Sequence, residues 1–164
     1  MHALNIFGRW LLISSVLLLS SCGWRLQGAA RLPEMLATTF VETKDPYTDF
    51  NRALRESLAA SGANIVTDKS LATAIVRIRR EDSGQRVLSV SARNTPEEFE
   101  VYYTVEYSVD GNGQELIAPD TLSLTRDYSY DERAVLAKQR EQAVLREALA
   151  RDIAGLIVRR LAAL

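Results

Sequence analysis

The sequence predicts an α/β (α+β) domain in which two helices pack on one face of a mostly antiparallel four-stranded sheet. Two observations carry that expectation: an unbroken period-two alternation from Phe99 to Val109, and two segments, one early and one C-terminal, with apolar residues at helical spacing. Their order reads strand-helix-strand-strand-strand-helix, which a two-layer domain accommodates around one core.

The first strand is expected between Pro33 and Thr43, where Leu36, Thr38, Thr39, Phe40 and Val41 bring apolar and β-branched residues together. Asp45-Pro46 then reads as a helix start, with Asp as N-cap, Pro at the first helical position and Asp49 near the positive end of the dipole. Tyr47, Phe50, Leu54 and Leu58 fall on one stripe, and Gly62 stands where a left-handed residue ends a helix.

Ala63 to Val66 is expected to add a short extended piece, and Ala74 to Arg80 a strand with Ala74, Val76 and Ile78 inward and Arg77 and Arg79 outward. Ser83-Gly84 is a candidate turn before another alternating stretch, Val87 to Ala92, with Arg93 on the side of Ser89 and Ser91. The strand from Phe99 to Val109 leads through Asp110-Gly111-Asn112-Gly113, a hairpin composition, into a partner bearing Leu122, Leu124, Tyr128 and Tyr130 on one face. Pro119 sits near the start of that partner, where a missing amide is tolerated. From Asp131 onward the residues are strong helix formers, with acids at the opening, Arg159 and Arg160 at the close, and a stripe of Leu145, Leu149, Ile153, Leu156 and Leu161.

Ahead of the domain, Arg9 and the amino terminus flank a mostly apolar run, Trp10 to Leu19, and small Ser20 and Ser21 lead to Cys22. This is the pattern of a lipoprotein signal, residues 1–21, and the run is too short to span a bilayer. The expected product carries diacylglycerol on the Cys22 sulfur and an N-linked acyl chain, such as palmitate, on its amine. With two or three chains attached, anchoring is effectively permanent. An ordinary secretory signal leaving a free thiol is the alternative reading, although an unpaired thiol is a liability in an oxidising periplasm. Gly23, rather than Asp, follows the cysteine, which points to the outer membrane, facing the periplasm. Residues 22–30 then form a lipidated tether and 31–164 a single domain.

Removing the first 21 of 164 residues leaves 143, an ordinary length for one core, with 19 basic and 21 acidic residues. That balance gives no indication of nucleic-acid binding. The single histidine, His2, belongs to the signal, and Cys22 is the only cysteine. Histidine- and thiol-based catalysis and the usual zinc ligand sets are therefore excluded from the mature chain, and no cofactor beyond the covalent lipid is expected. If both helices cover one face of the sheet, the other is left with arginines and hydroxyls: Arg77, Arg79, Arg93, Ser89, Ser91, Thr104 and Ser123 among them. A solvated face and a docking surface with guanidinium groups available for phosphate both fit that composition.

Two strings, together with the lipidation site and the element order, resemble the LPS-assembly lipoprotein LptE family. Cys22-Gly23-Trp24-Arg25-Leu26-Gln27-Gly28 is similar to the family's Cys-Gly-aromatic-x-Leu-Arg-Gly opening, although Gln27 replaces the usual Arg. Ala134 to Glu141 is similar to the segment that leads into the family's last helix. The resemblance implies a non-enzymatic sandwich that sits inside an outer-membrane β-barrel partner, LptD, assists its assembly, and takes part in inserting lipopolysaccharide into the outer leaflet. By local match it also implies lipopolysaccharide binding by Arg93 and Lys138.

Two other classes fit parts of the sequence. A scaffold or binding lipoprotein of another envelope machine, for phospholipid transport or barrel assembly, would share the anchor. A carboxylate enzyme acting on glycans would need two acids across a cleft, with Glu97, Glu98 and Glu100 as candidates.

Overall fold

The computed structural model describes residues 31–164. Cys22, the signal segment and the tether lie outside the described residues. Five strands form one sheet in the order β2-β1-β3-β4-β5, namely Thr38–Glu42 (β1), Asn64–Val66 (β2), Ala74–Val90 (β3), Pro96–Gly111 (β4) and Gln114–Ser129 (β5). Two α-helices, Asp49–Ala60 (α1) and Val135–Leu161 (α2), complete the fold. The α+β class holds, with one strand more than expected: the short extended piece after Gly62 pairs in parallel with β1 and becomes an edge. β1 is also parallel to β3, whereas β3, β4 and β5 form a long antiparallel meander.

Several boundaries differ from expectation for local physical reasons. The segment before β1 closes into a 3-10 turn, Glu34–Leu36, which buries Leu36 completely. Helix α1 starts three residues later than the Asp45-Pro46 signal suggests, because Thr48 Oγ1 accepts from Asn51 N at 3.1 Å and so caps it. Asp45 instead accepts from the Tyr47 amide at 2.9 Å, an Asx turn that leaves Tyr47 90% exposed and off the apolar stripe. Phe50, Leu54 and Leu58 are fully buried, and Gly62 ends the helix with φ +98°.

The expected break at Ser83-Gly84 does not occur: β3 runs unbroken through it. Gly84 lies opposite Tyr102, and a Cβ built there would stand 2.8 Å from the Tyr102 hydroxyl, so the glycine makes room for a cross-strand ring. The register instead shifts at Arg79, between Ile78 and Arg80. This bulge exchanges the two faces of the strand. Before it Val76 and Ile78 face the helices; after it Glu81, Ser83, Gln85 and Val87 do, opposite Val105, Tyr103, Val101 and Phe99. A second irregularity around Leu88 ends the expected alternation there, and β3 stops at Val90, short of Ala92.

The β4–β5 connection is the two-residue turn Asn112-Gly113, both with positive φ, as a tight hairpin requires. Pro119 falls in a bulge of the edge strand β5, and Tyr130 lies just past the strand, its amide bonded to the Glu97 carbonyl at 2.7 Å. The core fills the space between the sheet and both helices, with Val76, Val101, Val105 and Tyr107 meeting Phe50, Leu54, Leu149 and Ile153. On α2, Ile157 and Val158 are buried along with Leu161, whereas Leu156 is only half-buried. Only the C-terminal half of α2 is buried deeply; Leu136 and Val144 in the first half are 76% and 61% exposed.

Candidate functional site

The long meander gives the domain two distinct ends. At one, Leu32 N donates to Ser61 O at 3.3 Å and Asn112 N to Thr73 O at 2.9 Å, so the start of the described chain lies with the start of β3 and the β4–β5 turn. At the other are the β3–β4 loop and the beginning of α2. A strand of 17 residues separates them, a span of roughly 55 Å at about 3.3 Å per residue.

The β3–β4 loop is built on Ser91. Its hydroxyl accepts from the amides of Arg93 and Thr95, both at 3.2 Å, and its own amide donates to Thr95 O at 2.8 Å. Asn94, with φ 61°, supplies the left-handed residue that closes the loop, a conformation asparagine tolerates. Arg93 is thereby held exposed at the tip, and makes no ion pair with any described residue.

Lys138 stands one turn into α2, with its side chain 18% exposed. Its Nζ lies 5.9 Å from the centre of the Tyr128 ring and 2.8 Å from Glu141 Oε2. Tyr128 stacks on Phe99 at 5.8 Å, Tyr130 meets Phe99 edge-on at 5.2 Å, and the Tyr128 hydroxyl donates to Gln85 Oε1 at 2.8 Å. Burial raises the Tyr128 pKa, keeping its hydroxyl a donor. Register ties these groups together, since Phe99 lies opposite both Val87 and Tyr128.

The structure thus places Arg93 and Lys138 at the same end of the sandwich but not in one pocket. A cavity of about 160 Å³ beside Lys138 is lined by Phe99, Tyr128, Tyr130 and Gln85, and does not reach Arg93. The aromatic cluster was not singled out from the sequence, because its members come from two strands and the segment beyond, and only the register brings them together.

The helix-free face carries fewer available cations than its composition suggests. Arg77 is held between Glu42, at 2.7 Å, and Asp110, and Arg86 pairs with Glu100. Arg79 Nε donates to Ser108 Oγ at 3.3 Å, and Thr104 and Ser123 share a hydrogen bond at 2.8 Å. Among the acids weighed for catalysis, Glu98 accepts from Ser89 Oγ at 2.8 Å and Glu100 is taken by Arg86. Among the described residues no group of three or more potential metal ligands is gathered. No helix among them is long and apolar enough to cross a membrane.

A family model described as LptE, lipopolysaccharide-assembly, matches residues 36–161. The chain belongs to this family. The match begins and ends on core residues: Leu36 and Leu161 are both fully buried. The LPS-assembly lipoprotein LptE of Pectobacterium atrosepticum is 32% identical over 155 residues, covering 90% of this chain and 80% of the relative. The crystal structure of the rare lipoprotein B from Shewanella oneidensis superposes with a TM-score of 0.68 at 26% identity, covering 77% of this chain and 94% of that one. The solution structure of a lipoprotein B from Nitrosomonas europaea shares the fold, with a TM-score of 0.71 at 24% identity over 86% and 91% of the two chains. The chain is therefore an LptE-family lipoprotein of lipopolysaccharide assembly.

Proposed function

We propose that this LptE-family protein is a non-enzymatic plug and assembly factor for an LptD-like outer-membrane β-barrel, and that it binds lipopolysaccharide during delivery to the outer leaflet. It is held on the periplasmic side by the acyl chains on Cys22. The observation that carries this reading is the family match across the whole core, from Leu36 to Leu161. Arg93 and Lys138 are the proposed lipopolysaccharide contacts. Their position supports the role: both stand at the end remote from Leu32, where a phosphate can meet a guanidinium at the loop tip and an ammonium at the first turn of α2.

The test is isolation of the lipidated full chain from membranes in mild detergent, with identification of what accompanies it. Stoichiometric recovery of an LptD-like barrel is expected. Recovery instead with a phospholipid-transport or barrel-assembly complex would replace the plug reading with the scaffold one. Mass spectrometry of the same sample reads Cys22 directly, and an unmodified thiol would remove the lipid anchor from the account.

A further inference from the structure

We infer that the edge of β3 beyond Arg77 is a strand-addition site for an extended, acid-bearing segment of another polypeptide, seated at the wedge between the β1–α1 connection and the Arg79 bulge. The wedge lies well short of the loop that carries Arg93, and its occupant is separate from the ligand proposed above.

β1 covers β3 only from Ala74 to Arg77, the first four of its 17 residues. From Ile78 to Val90 the strand is paired on one side alone, with β4, and among the described residues no backbone group bonds it on the other. That is an open edge of roughly 40 Å, at about 3.3 Å per residue. β1 leaves it because the chain turns toward the helices after Glu42: Thr48 Oγ1 donates to Glu81 Oε2 at 3.1 Å and Asn51 Nδ2 to the Asp45 carbonyl at 3.0 Å, so the connection is tied to the helix side of the sheet. The line that β1 vacates is a cavity of about 380 Å³, walled by Thr43, Lys44 and Asp45 on one side and Arg79, Arg80 and Glu81 on the other.

The other two edges do not offer this. β2 has three residues, and β5 is interrupted by the bulge at Pro119 and tied to α2 by the pairs Arg126–Asp152 and Arg160–Asp120. Proline, bulges and covering side chains are how a sheet edge is closed to further pairing. β3 has no proline from Ile78 to Val90, and its register is regular from Arg80 to Val87.

Charge selects the occupant. Of the acids that line the wedge, Glu81 has both oxygens engaged, one by Thr48 and Asn51 and the other by Tyr103, and Asp45 accepts from the Tyr47 amide. The cations are uncommitted: among the described residues Lys44 and Arg80 make no ion pair, and Arg79 has only the Ser108 hydroxyl. Glu106 stands across from Arg80 on β4, away from the edge, and Asp82 does not line the wedge. An extended segment bonds the edge with its backbone and meets the cations with its acids. A lipid or a free anion would leave the backbone edge to water. A second copy of β3 would bring Arg79, Arg80 and Arg86 against Glu81 and Asp82, the same sign of charge in excess.

Hydrogen exchange of the full mature chain, read on β3 and β5 by mass spectrometry, tests this with three ten-residue peptides. One alternates glutamate and valine and one lysine and valine, both N-methylated at the valines so that each presents a single hydrogen-bonding edge; the third is the glutamate peptide N-methylated at every residue. The first is expected to slow exchange at alternate amides within Ile78–Val90 and to leave Gln114–Ser129 unchanged, and the other two to leave β3 as it is. Lys44→Glu with Arg80→Glu, both exposed, is expected to weaken the glutamate peptide about tenfold and to gain binding of the lysine one. No slowing on β3, equal slowing by the lysine peptide, or slowing on β5 alone would overturn the inference. Equal binding of the fully methylated peptide would overturn it in favour of a simple anion site, and slowing that rises with protein concentration in the absence of peptide would give the edge to a second copy instead. The three peptides decide on the wild-type chain alone, and the reversed pair adds the charge.

Discussion

Asn51 on α1 and Glu81 on β3 meet across thirty positions of sequence, with Asn51 Nδ2 donating to Glu81 Oε2 at 3.0 Å. Asn51 is fully buried and also donates to the Asp45 carbonyl and to Thr48 Oγ1, while Glu81 accepts from the Tyr103 hydroxyl through its other oxygen. The pair therefore fixes the first turn of α1 against the strand at the point just after the bulge. Asn51→Ala leaves these acceptors under-satisfied and is expected to lower the unfolding free energy by about 1–3 kcal/mol, measured by urea denaturation. A change within experimental error would mean that the network does not hold the helix.

Stability should fall at both extremes of pH, for opposite reasons. Hydrogen bonding from Lys69, with Arg77, keeps the Glu42 carboxyl below its ordinary value of 4.5, and Arg160 with the Thr121 amide does the same for Asp120. Groups depressed in the folded state contribute stability above their unfolded pKa and lose it as pH drops through the folded value, so this part is lost below about pH 4.5. Tyr103 moves the other way: burial, then its bond to Glu81, raise it well above 10.0. The folded state then holds a proton that the unfolded chain releases, and stability declines as pH rises past 10.0. Denaturation midpoints against pH check both limbs, with Glu42→Gln expected to flatten the acid limb and Tyr103→Phe the alkaline one.

Gly84 is a packing glycine. Replacing it with Val drives the new side chain into the Tyr102 ring, whose hydroxyl and ring carbons lie 2.8–3.1 Å from where a Cβ would stand. Displacing that ring is expected to cost about 1–3 kcal/mol, read as a lower thermal midpoint. The double change Gly84→Val with Tyr102→Ala should recover part of the loss, and a failure to do so would place the strain elsewhere.

What could be read from the sequence was what local pattern dictates. The alternation from Phe99 to Val109 gave β4 its face assignment, because a strand with one buried face must repeat at two, and Gly62 ended α1 where a left-handed residue was needed. The errors fall where long-range contacts decide. Ser83-Gly84 has turn composition, yet strand pairing with Tyr102 carries the chain straight through. The bulge at Arg79 swaps the faces of β3, and no local feature of Arg77 to Glu81 announces it. Tyr47 fits the helical stripe but precedes a cap that only the hydroxyl of Thr48 defines. At the candidate site, Arg93 and Lys138 came from a family resemblance, whereas the cluster of Phe99, Tyr128 and Tyr130 beside them depends on β4–β5 register and became visible only in three dimensions.

The most direct measurement is a lipopolysaccharide binding isotherm of the full mature chain at low and high salt, beside Arg93→Ala, Lys138→Ala and the double variant. Each single change is expected to weaken binding, and the double change by roughly tenfold or more at low ionic strength, from the loss of two charge-assisted contacts. The difference should shrink as the screening length shortens from about 10 Å at 0.1 M to about 3 Å at 1 M. A double variant that binds as tightly as wild type at both salt concentrations would contradict the account.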